Sequence, residues 1–315
     1  MRTSLSTSSH CTALASMSDS SSRIDAATRI VLLIGDPIEH SLSPRIHNTA
    51  FALQDINAMY AATPVSHGAL SDAVNGMRAL QILGANVTIP HKEAIVPLLD
   101  SVSPRARAVG AVNTVIAQHD GEERTLHGDN TDVAGFLAPL SGRAGLHGAD
   151  MTILGAGGAA RAAAYALITT YAPSALTVAA RRPAQAEALL DVMQAHADPA
   201  TTLVAEPLDE ADEAVRRSRL VVNATPVGMA PHADDTPWPR AECFSPDHLV
   251  YDLVYAPRPT RLLREAAREG ADTQDGLEML IGQAAASYAL WTDRSMPTDQ
   301  VRDELLSMLP TGPDV

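Results

Sequence analysis

Of the 23 basic side chains in this 315-residue chain, 22 are arginine; the exception is Lys92, in the stretch NVTIPHKE (86–93). Lysine and arginine share a charge but not a chemistry. An ammonium group can surrender its proton within the range that protein environments reach, whereas a guanidinium stays protonated and cannot shuttle one. A lone lysine in an arginine-rich chain therefore reads as a proton carrier rather than a solubilising charge. Hydride delivery to a carbonyl leaves an alkoxide that must take up a proton, and oxidation of an alcohol requires the reverse. The neighbouring His91 is a rival donor because imidazole titrates near neutrality; beside a strand-end proline it is expected to be packed instead.

A second motif bears on redox chemistry. MTILGAGGAARAAAYAL (151–167) is an apolar strand, a glycine turn and a small-residue helix, with Gly155, Gly157 and Ala160 in G-x-G-x-x-A spacing. Glycines at those places permit a tight turn and let backbone N–H groups approach a pyrophosphate at the positive helix terminus. The strand before and the helix after supply the context that makes a short glycine pattern informative. The next strand, ALTVAA (175–180), runs into Arg181 and Arg182. An NAD site normally carries an acid there for the ribose 2′-hydroxyl; two arginines and no acid point to a 2′-phosphate, and so to NADP (NADPH).

Four polar clusters precede that unit: SLSP (41–44), NVTIPHK (86–92), GAVNT (110–114) and GDNTD (128–132). Three of the seven asparagines, Asn86, Asn113 and Asn130, fall in these clusters, and Asn223 opens NATPVGM (223–229). Singly, such residues favour turns and caps for local reasons. Grouped, their neutral donors and acceptors suit a small polyhydroxylated acid.

The elements that must position these groups alternate. From residue 29 onward, short β-branched or apolar runs are separated by segments of helical period, the pattern of an α/β fold with mostly parallel sheets. Strands are expected at RIVLLIG, AMYAATPV, ANVTI, NTVIAQ, MTILGAG, ALTVAA, TTLVAE, RLVVNAT and HLVYDLVY. Helices are expected over 43–56, with Ser43 as cap and Pro44 at the first helical position, and over 183–197, 260–270 and 275–291. Residues 1–28, rich in Ser, Thr and Ala, read as a disordered tail with no secretory h-region, and Met17 is an alternative start.

A mass of 33.2 kDa suits two modest domains, and a net charge of −14 argues against nucleic acid as a partner. The longest apolar run, RIVLLIG, has strand length, so no membrane span is expected. Cys11 and Cys243 are the only cysteines, in no ligand spacing, which predicts neither a disulfide framework nor a metal. The partner expected is a small-molecule substrate; the oligomeric state stays open, a homodimer being the assembly to test.

In order and wording the clusters resemble the shikimate dehydrogenase family, which includes shikimate/quinate dehydrogenases. The likeness continues through GAGGAAR (155–161), NATPVGM, YDLVYAPRPTRLL (251–263) and DGLEMLIGQA (275–284). The resemblance implies two domains, an N-terminal α/β substrate domain over 29–129 completed by 273–315 and a Rossmann-type NADP-binding domain over 130–272. It implies reversible NADPH-dependent reduction of 3-dehydroshikimate to shikimate, in the cytoplasm, within aromatic amino-acid biosynthesis. Lys92 and Asp132 would be the catalytic pair. Ser41 and Ser43 would hold the substrate carboxylate, and Thr88, Asn113, Asp132 and Gln283 the ring hydroxyls, with Tyr255 nearby. Gly155, Ala156, Gly157, Gly158, Ala159, Arg181, Arg182 and Thr225 would bind the dinucleotide, and Leu253, through its backbone, and Gly276 would line the nicotinamide.

Two departures bear on the cofactor. Ala180-Arg181-Arg182 stands where the family usually reads Asn-Arg-Thr, so Arg181 carries over while Arg182 rests on charge alone; Pro226 stands where the family often has Ser. Three other readings are open: a quinate/shikimate dehydrogenase using NAD, an enzyme for an amino-substituted shikimate analogue, and a non-catalytic metabolite sensor. The paired serines and the missing acid after ALTVAA lean away from the first. A sensor has no need of Lys92, Asp132 and the glycine loop together.

Overall fold

In a computed structural model describing residues 24–120 and 123–309, two six-stranded sheets carry the fold. Most of the expected tail, Cys11 and residues 310–315 lie outside the described residues.

The first sheet contains β1 (Arg29–Gly35), β2 (Ala58–Pro64), β3 (Gly84–Val87), β4 (Ser101–Val102), β5 (Thr114–Asp120) and β6 (Glu123–Asp129), in the order β2-β1-β3-β5-β6-β4. Side chains alternate across it: Val31 and Leu33 enter one buried cluster and Ile34 the other. The sheet is mixed, with β5 antiparallel to both β3 and β6, where the sequence predicts mostly parallel pairing and gives no strand at β6. ERTLHGD has no apolar run to betray it, since Leu126 is its one large apolar residue.

Around this sheet lie α1 (Ser43–Leu53), α2 (Leu70–Ala79) and α3 (Pro104–Val109), and α4 (Asp132–Leu137) leads away from it. The expected cap of α1 is corrected. Ser43 is itself the first helical residue, Leu42 takes the cap position without a side-chain bond, and Pro44 follows. The turn is held from behind instead, by the Ser43 N–H donating to Ser41 Oγ at 3.3 Å.

The second sheet is parallel throughout: β7 (Met151–Leu154), β8 (Ala175–Ala180), β9 (Thr202–Pro207), β10 (Leu220–Asn223), β11 (Leu249–Asp252) and β12 (Asp272–Gln274), in the order β12-β11-β10-β7-β8-β9. That is the strand order of a Rossmann unit. Helices α5 (Gly158–Tyr171), α6 (Pro183–Met193), α7 (Asp212–Arg217) and α8 (Arg261–Arg268) connect its strands. The alanines of α5 at 160, 162, 163, 164 and 166 are all buried, which lets the helix lie close on the sheet.

After β12 the chain returns. Helices α9 (Leu277–Thr292) and α10 (Thr298–Met308) bury Leu277, Ile281, Tyr288, Trp291, Val301 and Leu305 in the cluster that contains Val31 and Leu33 of the first sheet and Phe51 of α1. No helix among the described residues is long and apolar enough to cross a membrane.

One glycine fixes where α9 can lie. The Trp291 indole donates to the Val115 carbonyl at 3.0 Å, and a methyl group at Gly84 would fall 2.3 Å from that indole nitrogen and 2.5 Å from that oxygen. Gly84→Ala is therefore expected to destabilise the protein by about 3 kcal/mol, from overpacking plus a lost buried hydrogen bond. Urea unfolding measures it; a loss below about 1 kcal/mol would show that α9 is free to shift.

Candidate active site

Lys92 follows the turn that ends β3, and the Val112 N–H donates to its carbonyl at 2.8 Å. Its ammonium meets Asp132 Oδ2 at 2.5 Å, with the two side chains 16% and 7% exposed. The other carboxylate oxygen, Oδ1, accepts from Asn113 Nδ2 at 2.7 Å. Both oxygens are thus engaged, and the pair has one geometry rather than a range of them. A hydrogen-bonded, mostly buried ion pair of this kind holds a proton at a defined atom.

The last four residues of GDNTD serve this placement. Asp129 accepts from Ser103 Oγ at 2.5 Å and Arg105 Nη2 at 2.7 Å, tying β6 to the start of α3. Asn130 donates to the Ala111 carbonyl at 2.9 Å and accepts the Val133 N–H at 3.3 Å, which satisfies one free N–H of the first turn of α4. The Thr131 N–H donates to Asn113 Oδ1 at 2.7 Å. Asp132 is then the first residue of α4.

Behind the pair lies a buried polar network. Asn86 accepts from the Tyr60 hydroxyl at 2.9 Å, and its amide nitrogen lies 3.0 Å from the Asn113 carbonyl, 3.1 Å from Thr114 Oγ1 and 3.1 Å from Ser287 Oγ. Tyr60 and Ser287 are absent from the sequence-based set. Tyr60 sits on an inward position of β2, and Ser287 lies four residues after Gln283, on the same face of α9; only that helical spacing points to it.

The remaining substrate candidates have separate settings. Ser41 and Ser43 flank the start of α1, and Thr88 directly follows β3. Tyr255 is partly buried, and burial raises its phenol while a bond to the Leu42 backbone opposes the shift, which ties it to the SLSP loop. Gln283 donates its amide to the Leu280 carbonyl of its own helix at 2.9 Å. Asn113 spends its amide protons on Asp132 and on Thr131 Oγ1 at 2.9 Å. His91 is fully buried, with Nε2 bonded to the Val65 carbonyl at 2.6 Å, so it is packed as expected.

The glycine loop abuts the lysine. A methyl at Gly158 would fall 3.3 Å from Lys92 Cδ, whereas one at Gly157 meets nothing within 4 Å, leaving space at the N-terminus of α5 beside Ala156 and Ala159. Gly155 takes φ +103°, where a methyl would lie 2.8 Å from Thr225 Cγ2. Asn223 Oδ1 holds Thr225 by accepting its N–H at 2.9 Å and its hydroxyl at 2.7 Å. A methyl at Gly276 would strike the Leu253 carbonyl oxygen at 2.1 Å, so only glycine lets these backbones meet. Arg181 and Arg182 are exposed at the end of β8, and Arg181 lines a cavity of about 400 Å³ with Leu208, Asp209, Pro237, Pro239 and Arg240. Arg240 is committed elsewhere, stacked 4.1 Å over Trp238 and paired with Asp212 at 2.7 Å. An open glycine turn at a helix N-terminus with solvent-facing arginines one strand away fits a phosphorylated dinucleotide.

Comparison with known proteins bears on this arrangement. The chain matches the family model described as the shikimate dehydrogenase substrate binding domain over residues 33–115, and that described as the shikimate 5'-dehydrogenase C-terminal domain over 276–306. A protein named shikimate dehydrogenase (NADP(+)) from Salinibacter ruber is 60% identical over 285 residues, covering 90% of this chain and 98% of that protein. Shikimate 5-dehydrogenase from Thermus thermophilus, solved in complex with NADP(H) and shikimate, is 37% identical with a TM-score of 0.76, covering 90% of this chain and all of that one. The Listeria monocytogenes protein, solved with shikimate and NAD, is 36% identical with a TM-score of 0.79, covering 90% and 98%.

One group under the cofactor loops carries a pH signature. Asp252, fully buried, accepts from Asn223 Nδ2 at 2.8 Å, the Val254 N–H at 3.0 Å and Thr260 Oγ1 at 2.6 Å, so it joins the loops after β10 and β11. Burial pushes its carboxyl up to about 6, against those three bonds. Below about pH 4 it is protonated folded and unfolded alike and costs nothing; as pH rises through 6 the unfolded chain ionises first and stability is lost, by about 3 kcal/mol in all. Asp252→Asn removes that titration. Its stability relative to the parent should improve by about that amount between pH 4 and pH 7 in urea melts, and a pH-independent difference would contradict the assignment.

Proposed function

This chain belongs to the shikimate dehydrogenase family, and we propose that it is an NADP-dependent oxidoreductase that reversibly reduces 3-dehydroshikimate to shikimate, in aromatic amino-acid biosynthesis. The observation that carries this reading is the sole lysine of the chain, paired with Asp132 and seated against the glycine loop. NADPH, when bound, supplies the hydride.

The chain's own residues do the rest. Lys92 Nζ gives its proton to the oxygen that becomes the alcohol, and takes it back in the oxidising direction. Asp132 holds the amine in place and accepts from the adjacent ring hydroxyl. Ser41 and Ser43 bind the carboxylate, and Thr88, Asn113 and Gln283 the hydroxyls, beside Tyr255. For Asn113, a direct contact requires it to release one of its two present acceptors. Gly155, Ala156, Gly157, Gly158 and Ala159 cradle the pyrophosphate, with Thr225 beside them. Arg181 and Arg182 take the 2′-phosphate, and Leu253 and Gly276 face the nicotinamide. Two exposed guanidinium groups and no acid at the end of β8 support the cofactor assignment.

We further propose the domain limits: residues 29–129, completed by 273–315, form the substrate domain, and residues 130–272 the nucleotide domain. The returning helices, packed on the first sheet, support that division. A cytoplasmic location is supported by Cys243, buried and unpaired, as suits a reducing compartment.

Initial rates of nicotinamide absorbance change, with shikimate or quinate crossed against NADP⁺ or NAD⁺, test this reading. Shikimate with NADP⁺ should lead every other combination by about tenfold or more in kcat/KM, a difference of about 1.4 kcal/mol. Dominance of quinate with NAD⁺ would make the chain a catabolic enzyme. No turnover from folded protein would favour the sensor.

A further inference from the structure

We infer that Ser287 is a positioning residue for the reaction, acting from α9 through Thr131 and Asn113 on Asp132; the inference rests on the function proposed above. Ser287 is fully buried and touches no titrating group, so its effect must pass through hydrogen bonds. It has one proton and four polar neighbours: the Gln283 carbonyl at 3.0 Å, Thr114 Oγ1 at 2.8 Å, Thr131 Oγ1 at 3.0 Å and Asn86 Nδ2 at 3.1 Å. The Gln283 carbonyl can only accept, so it takes the serine proton. The two lone pairs of Ser287 Oγ then accept from two of the other three, Thr131 among them.

That assignment sets the direction of the chain of bonds. Thr131, giving its proton to Ser287, is left as an acceptor for Asn113 Nδ2 at 2.9 Å. Asp132 Oδ1, which only accepts, and the Thr131 N–H, which only donates, fix which way the Asn113 amide faces, and Thr131 Oγ1 adds the second bond to its nitrogen. Without Ser287, the Thr131 proton turns to Asn113 Oδ1 at 3.1 Å, and Thr131 Oγ1 is no longer held as the second acceptor that steadies the amide nitrogen against Asp132. Thr131 is fully buried and Asn113 is 3% exposed, so no solvent substitutes for a missing partner.

Backbone packing sets the same spacing independently. A methyl at Gly135 would fall 2.6 Å from the Met279 carbonyl oxygen and 2.7 Å from the Gln283 nitrogen, and one at Gly282 would lie 3.1 Å from Gly135 Cα. Helix α4, which begins with Asp132, thus touches α9 backbone to backbone, and Ser287 is held at a fixed reach from the carboxylate.

The test uses the full chain, with shikimate and NADP⁺ as substrates. Ser287→Ala should lower kcat about 10- to 100-fold, the effect of one lost bond in a buried network, while leaving KM for NADP⁺ unchanged. Thr131→Ser should keep most of the parental kcat and Thr131→Val should lose it. In the cycle with Asn113→Ala, the double variant with Ser287→Ala should fall within about twofold of Asn113→Ala alone, since the serine acts through the amide. Parental kcat in Ser287→Ala, or losses that multiply in the double variant, would overturn the inference. If Ser287→Ala does not fold, equal rates for Thr131→Ser and Thr131→Val overturn it. The parental rate reports on the proposed function, and only the ratios report on Ser287.

Discussion

The contact between one ammonium and one carboxylate governs how the rest of this molecule is built. Lys92 and Asp132 meet at 2.5 Å in a setting where neither is well hydrated. Two opposite charges in such a place are tolerable together and costly apart, since removing one partner of a buried pair typically destabilises by about 3–5 kcal/mol. Each partner is accordingly fixed from outside the pair: the lysine by its carbonyl, bonded to Val112, and the carboxylate by Asn113. The lysine comes from the end of β3 and the carboxylate from the start of α4, so two segments 40 residues apart must hold one distance.

Glycine is the means by which distant backbones are brought close enough to do this. Gly158 brings the nucleotide loop onto the stem of Lys92, Gly135 and Gly282 bring α4 onto α9, and Gly276 brings α9 onto Leu253. At Gly135 and Gly276 any side chain would need space that the neighbouring backbone already fills, and at Gly158 and Gly282 the neighbour would have to give by a few tenths of an ångström. The consequence is a site in which the glycine loop, Lys92 and the returning helix are mutually positioned, so that a displacement of one is felt by the others.

How much of this a reader of the sequence could find depends on what kind of signal each residue emits. Lys92 stands out by residue type, the glycine turn by spacing between a strand and a helix, and Asp132 by its place in a recognised cluster. The nine expected strands all have counterparts. Strand β6 is concealed because Leu126 is its one large apolar side chain, and the start of α1 is misjudged because Ser43 takes the first helical place while Leu42 stands where a cap would be. Ser287 is the least visible. A serine in an alanine-rich helix has no local signature; its meaning comes from Thr114 and Asn86, 173 and 201 residues away, which only the fold brings to it.

The central claim is that Lys92 carries the proton, and turnover of Lys92→Ala together with its affinity for shikimate addresses it most directly. The account predicts kcat lower by about 10²–10⁴-fold, the usual worth of a positioned proton donor, with shikimate affinity within a few-fold of the parent. Turnover close to the parental value would remove Lys92 from the chemistry and contradict the account.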